Sequence, residues 1–160
     1  EFKESFKTPG VWVIDLEGYG EMLPMADNRV TLHKTKKDKW GMPQLHIDAK
    51  FGENDKKIRK IMRETAVDIM EKTGLTNITT YNTEDSLGLS IHEMGTARMG
   101  NDPKESVVNG YNQCHDATNV FITDGAAMAS SACQNPSLTY MAFTARAVDY
   151  AVKNMKLGKL

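Results

Sequence analysis

The sequence predicts an α+β fold. Three features of its patterning predict it: strand-like runs gathered in the first third, one amphipathic stretch of helical period in the middle, and a short apolar strand leading into a closing helix. Val11-Trp12-Val13-Ile14 is a β-branched and aromatic run suited to a pleated surface, and it ends at a turn over Gly18-Tyr19-Gly20. Arg29-Val30-Thr31-Leu32-His33 and Gln44-Leu45-His46-Ile47-Asp48 alternate as half-buried strands do. The basic residues 34–39 between them read as a solvated hairpin or loop, and His33 and His46 as exposed or structural groups.

The middle helix has clear ends, with Asn54 as N-cap and Gly74 just past the C-terminus. Ile58, Ile61, Met62, Ile69 and Met70 share one face, while Arg59, Lys60, Arg63 and Lys72 lie largely off it. That methionine-bearing stripe reads as core packing, not as a cofactor box. Asn77-Ile78-Thr79-Thr80-Tyr81 returns to the sheet. Residues 82–119 hold little regular signal, and an irregular stretch of that length in a compact domain points to function. It ends at a strand, Val120-Phe121-Ile122, followed by Asp124-Gly125. The closing helix starts at Pro136 and turns Leu138, Met141, Ala142, Ala145, Val148 and Val152 inward. No internal repeat interrupts this order.

Composition narrows the function classes. An apolar share of 40% and a charged share of 26% are those of a globular chain, which excludes disorder. A formal net charge of −1 gives no electrostatic reason to bind nucleic acid or an anionic membrane. No apolar run reaches the length of a membrane span. Residues 1–10 have neither an initiator Met nor the apolar core of a signal peptide, which suggests a chain processed or cut from a longer one. Cys114 and Cys133 are too few for a disulfide framework and read as two free thiols. The expectation is a soluble chain, cytoplasmic or periplasmic, with the compartment open.

Gly18-x-Gly20 after a strand has the start of a dinucleotide-binding fingerprint, but Leu23 replaces the third glycine and Pro24 stands where a helix should run. The fingerprint is rejected. Asn135-Pro136 is a strong helix start: a capping side chain, then a proline whose missing N–H is not needed there. The same helix end presents N–H groups and partial positive charge, suited to an anionic group such as the N1–C2 edge of a reduced flavin. His92 lies in a loop with Gly95 and Gly100, which permit close backbone approach to a flat ligand. Imidazole can take the hydroxyl proton of an alcohol while a flavin N5 takes the hydride. Arg98 suits an anionic substrate or cofactor, or a salt bridge within the loop. His92, Cys114, His115 and Cys133 could form a metal site on paper, but their spacing fits no zinc pattern. Cys114 and His115 are adjacent and point apart, a poor nucleophile–base pair.

His92-x-x-Gly95-Thr96-x-x-Met99-Gly100, Asp124-Gly125 and Asn135-Pro136-x-x-Thr139 together resemble the C-terminal region of glucose–methanol–choline (GMC) oxidoreductases. Upstream, Gly20-Glu21-Met22-Leu23-Pro24, Asn28-Arg29-Val30-Thr31-Leu32 and Lys37-Asp38-Lys39-Trp40-Gly41 fit the same region, so the resemblance covers nearly the whole chain. It implies FAD-dependent oxidation of a CH–OH group in a sugar, sugar acid, polyol or sterol. It assigns His92 as the active-site proton acceptor and Asn135 as the second catalytic position, held by His in some members and Asn in others. Asp124 and Gly125 touch the cofactor, and the backbone of Asn135, Pro136 and Ser137 runs beneath the flavin's pyrimidine edge. No metal is implied.

The family fold joins a flavin-binding α/β domain to a substrate domain of antiparallel sheet with packed helices. Residues 1–160 then form one C-terminal domain, with about 1–117 in the substrate part and about 118–160 returning to the flavin domain. The N-terminal FAD-binding part is absent, so the chain alone is expected to hold little FAD, to be inactive alone, and to expose an apolar patch where that part packs. Expected partners are the alcohol or sugar, the absent domain, and an electron acceptor that the sequence leaves open among oxygen, a quinone and a cytochrome. A non-catalytic module that keeps the fold is the competing reading.

Overall fold

The structure, a computed structural model, describes residues 2–81, 87–88 and 91–160. Its elements are a one-turn helix α1 (Phe2–Ser5), strands β1 (Arg29–Lys37) and β2 (Pro43–Asp48), helix α2 (Glu53–Lys72), a 3₁₀ turn (Gly125–Ala127) and helix α3 (Ser137–Lys156). This is the expected α+β class, with an antiparallel sheet of two strands. The alternating residues pair as their pattern requires, Val30 opposite Ile47 and Leu32 opposite Leu45. Register breaks between Leu32 and Lys37. There the His33 ring turns back on its own strand, its Nδ1 accepting the N–H groups of Thr35 and Lys36 at 3.2 and 3.0 Å. His33 is thus a structural group. The basic stretch is mostly strand, and the turn falls later, where Asp38 Oδ1 accepts from the N–H groups of Trp40 and Met42, both at 2.9 Å.

Helix α2 is capped differently from expectation. Gly52 is the N-cap, and Asn54 sits inside the first turn. Gly52 offers no side chain, so the cap is supplied by Asp55, three residues on, whose Oδ2 accepts the Gly52 N–H at 2.7 Å. The far end follows the sequence: Gly74, at φ +80°, donates to Glu71 O at 3.0 Å, and Leu75 donates to Met70 O at 3.2 Å, the paired bonds of a Schellman motif.

The stretch around Gly18 and Gly20 is extended along α2 and does not turn. A side chain on Gly20 would stand 2.7 Å from Ile58 Cγ2, so glycine lets the backbone rest on the helix. Residues 11–14 and 77–81 form no strand. No main-chain hydrogen bond among the described residues reaches residues 11–22 or 76–81. The α2 stripe stays partly uncovered as well, with Ile61 and Ile69 exposed.

The core lies where α3 meets residues 97–127. Val108 and Asn112 are fully buried, beside Ala127 and Ala147. Met99, Val108 and Cys114 are linked by isolated bridges, and the expected strand over residues 120–122 is reduced to one bridge, Phe121 to Gln113. Asn112 sits at φ +63° with its amide satisfied: Nδ2 donates to Ile122 O at 2.8 Å, and Oδ1 accepts from Arg146 at 3.0 Å. The Tyr111 and Tyr150 rings stack at 4.2 Å. Thr144 Oγ1 donates to Thr123 Oγ1 at 2.9 Å.

The face of α3 that packs therefore carries Tyr140, Ala147 and Tyr150. The stripe expected to be buried faces outward: Leu138 is 77% and Met141 68% exposed, and Ala142, Ala145, Val148 and Val152 are exposed too. Both faces of the helix are apolar, and this chain's residues cover only one. The accessible surface, 12913 Å², far exceeds the roughly 8,000 Å² of a free-standing folded protein of this mass. Among the described residues no helix is long and apolar enough to cross a membrane.

Candidate active site

Three segments meet beside this core. Residues 95–99 run alongside the 3₁₀ turn, joined by Gly95 N–H to Gly125 O at 3.3 Å, Ala97 N–H to Ala126 O at 2.9 Å and Met99 N–H to Ala127 O at 2.9 Å. Gly125 is buried, and a Cβ on it would stand 2.7 Å from Tyr140 Oη, 2.8 Å from Met94 Sδ and 3.1 Å from Glu93 O. Only a glycine lets the loop after His92 and the first turn of α3 close on the 3₁₀ turn at this distance. Gly95, at φ +88°, lies under the carbonyl oxygens of Met128 and Ala129. The Tyr140 hydroxyl donates to Met94 Sδ at 3.6 Å. Burial, and after it the Asp124 carboxylate, push the Tyr140 phenol above its ordinary value.

Asp124 spends its Oδ1 on the 3₁₀ turn, accepting the Ala126 N–H at 3.1 Å. His92 is half-buried and has no hydrogen-bond partner among the described residues. Asn135 departs from the capping expectation. Pro136 occupies the N-cap position and the helix begins at Ser137, so the amide of Asn135 stands one residue too early to cap it. Asn135 is exposed and makes no hydrogen bond with the described residues. Pro136 is buried, and Tyr140 donates the first helical bond to its carbonyl at 3.1 Å. The leading N–H groups of α3, those of Ser137, Leu138 and Thr139, have no side-chain cap.

The fold thus brings the His92 loop, Asp124–Gly125 and the start of α3 to one junction. No hydrogen bond links His92 to Asn135. Arg98 is exposed and forms no ion pair among the described residues. The four soft-ligand residues do not gather: among the described residues no three His, Cys, Asp or Glu side chains could hold one metal ion. His115 Nε2 instead lies 3.0 Å from Ser106 Oγ and 3.2 Å from Gly100 O, stitching the loop. Cys114 and Cys133 are both free thiols.

Two features were missed from sequence. Tyr140 and Met94, which enclose Gly125, looked like ordinary helix and loop residues. Glu21, noted only as part of a motif, accepts a hydrogen bond from Ser130 Oγ.

The GMC oxidoreductase family profile matches residues 24–144, a stretch that holds His92, Asp124, Gly125, Asn135, Pro136 and Ser137. The large subunit of fructose dehydrogenase from Gluconobacter japonicus is 35% identical over 147 residues, which is 91% of this chain and 26% of that protein. A 2-methyl-1,2-propanediol dehydrogenase from Mycolicibacterium austroafricanum is 33% identical over 136 residues, 82% of this chain and 24% of the relative. Paromamine 6'-oxidase from Streptomyces fradiae is 35% identical over 123 residues, covering 77% and 22%. The chain spans about a quarter of the length of these relatives.

Proposed function

The chain belongs to the GMC oxidoreductase family, and from that premise we propose that it is the C-terminal catalytic portion of an FAD-dependent enzyme that oxidises an alcohol CH–OH group. The observation that carries this reading is the junction itself: a histidine without a hydrogen-bond partner among the described residues, held on a loop that closes against an uncapped helix start preceded by an exposed amide. FAD, when bound, supplies the acceptor for the substrate hydride. The His92 imidazole takes the hydroxyl proton, and the Asn135 amide holds the substrate oxygen by donating a hydrogen bond without competing for that proton. The uncapped N–H groups of Ser137, Leu138 and Thr139 stabilise negative charge on a ring edge lying against them. Gly125 and Asp124 shape the turn beside that edge.

The residues present suit contact with one edge of the ring and not the diphosphate, since the glycines at 18 and 20 lie extended on α2 and build no phosphate cradle. Residues of about 1–117 belong to the substrate part and about 118–160 to the return toward the flavin domain. The excess surface, the outward stripe of Leu138, Met141, Val148 and Val152, and the main chain at residues 11–22, which pairs with none of the described residues, all support a longer parent polypeptide that covers them. The substrate class is a sugar or small polyol, by likeness to relatives named for fructose, a propanediol and paromamine. Both dehydrogenases and oxidases occur among them, so the acceptor that reoxidises the flavin stays open between oxygen and another carrier.

The test is a purified parent polypeptide carrying this chain. It should contain bound flavin that bleaches anaerobically when one of a panel of sugars and polyols is added. A parent purified without flavin absorbance, unable to take up added FAD, would end the enzyme reading.

A further inference from the structure

We propose that Glu21 is a positioning residue of this junction, clamping the loop of residues 128–135, and with it Asn135, onto the loop that carries His92. Ser130 Oγ donates to Glu21 Oε1 across 109 positions of sequence, and both residues are half-buried. A charge-assisted bond sheltered from water in this way is stronger than a neutral one. Just before Ser130 in the same loop, the carbonyl oxygens of Met128 and Ala129 would stand 3.4 and 3.5 Å from a Cβ on Gly95, so the loop rests directly on the backbone after His92.

Glu21 is itself anchored. Two residues on, the Leu23 N–H donates to Asp55 Oδ1 at 3.3 Å, and Asp55, only 5% exposed, also holds the start of α2. A line of bonds therefore runs from a rigid twenty-residue helix through residues 21–23 to Ser130. Residues 129–135 have little else to fix them. Among the described residues, the Ser131 hydroxyl reaches only its neighbour Ala132 O at 3.2 Å, and the Ser130 bond is the one hydrogen bond that ties this stretch to the rest of the chain. Removing the carboxylate frees the loop and, with it, the direction in which Asn135 points.

The catalytic meaning of the clamp rests on the proposed alcohol oxidation; its existence does not. In the parent polypeptide, Glu21→Ala should speed cutting within residues 128–135 by a broad-specificity protease about ten- to a hundredfold, with the β1–β2 hairpin left uncut. Ser130→Ala should do the same, the double variant should be no worse than either single one, and Glu21→Gln, which keeps an acceptor, should recover most of the resistance. If the alanine variant does not fold, Glu21→Gln and Ser130→Ala carry the test. In the flavin-loaded enzyme, Glu21→Ala should slow flavin reduction about ten- to a hundredfold with a smaller change in KM, and Glu21→Gln should restore it. Unchanged cutting within residues 128–135, or independent and additive effects of the two alanine variants, overturns the clamp. Faster cutting with an unchanged reduction rate overturns the positioning role and leaves the oxidoreductase reading intact. A parent without flavin fails that reading instead, while the proteolysis cycle still decides the clamp.

Discussion

Residues 91–157 and residues 2–81 are held together by different means. In the later region polar groups are buried or half-buried and satisfied: Asn112 between Ile122 and Arg146, Gln113 on Thr118 O at 2.6 Å, and the half-buried His115 on Gly100 and Ser106. Helix α3 closes on that network through the Tyr111–Tyr150 stack. The earlier region has a well-registered hairpin and a well-terminated helix, yet Asp55 is its one buried residue and, among the described residues, no main-chain hydrogen bond reaches its extended stretch. Local structure there follows from local chemistry, and the described residues leave it partly uncovered. The junction of the proposed site is thus built into the self-sufficient region and braced by the other through Asp55 and Glu21.

That contrast sets the expected size of each perturbation. Asn112→Ala should have the largest effect, about 2–4 kcal/mol of unfolding free energy, because it empties a fully buried amide site, takes the donor from the half-buried Ile122 carbonyl and puts alanine at φ +63°. Denaturant unfolding measures it, and a loss below about 0.5 kcal/mol would erase the distinction between the regions. Gly125→Ala should cost about 1–3 kcal/mol by driving a methyl group into Tyr140, Met94 and the Glu93 carbonyl. Gly10→Ala, with nothing within 4 Å, is its control. Asp55→Ala should cost about 1–2 kcal/mol, visible as a lower thermal midpoint and earlier fraying of α2 by circular dichroism.

Tyr140 supplies a smaller effect with a definite sign. Its phenol holds its proton more tightly in the folded chain than in the unfolded one. The stabilisation is complete below the ordinary tyrosine value of about 10 and is lost as pH rises through the raised one. Thermal midpoints between pH 9 and 11 should fall more steeply for the wild type than for Tyr140→Phe. The least effect is expected at Leu138→Ser: with the side chain already outside, stability of the chain alone should move by less than about 0.5 kcal/mol. The same change in the parent should destabilise it by more, if a further domain covers that stripe.

Much of this fold was legible in the residues. Alternation located both strands of the hairpin, and Gly74 marked the end of α2. The errors share a cause: contacts that residue type alone does not reveal. Asn54 looked like a cap because asparagine caps helices, but Asp55 could reach back to Gly52 from inside. Val11-Trp12-Val13-Ile14 has the composition of a strand and finds no main-chain partner among the described residues. The wrong face of α3 was turned inward because both faces are apolar, and only the position of Tyr111 and Asn112 decides between them. At the site, the order of His92, Asp124-Gly125 and Asn135-Pro136 was readable as a motif. The freedom of the Asn135 amide and the bond from Ser130 to Glu21 were not, since neither leaves a period or a spacing in the sequence.

The most direct test of the whole account is the rate of anaerobic flavin reduction by the preferred alcohol in the parent enzyme, wild type against His92→Ala. The variant should keep its full flavin content, with reduction slowed by about 10²- to 10⁴-fold. A variant reduced as fast as the wild type would remove His92 from the proton transfer and contradict the reading.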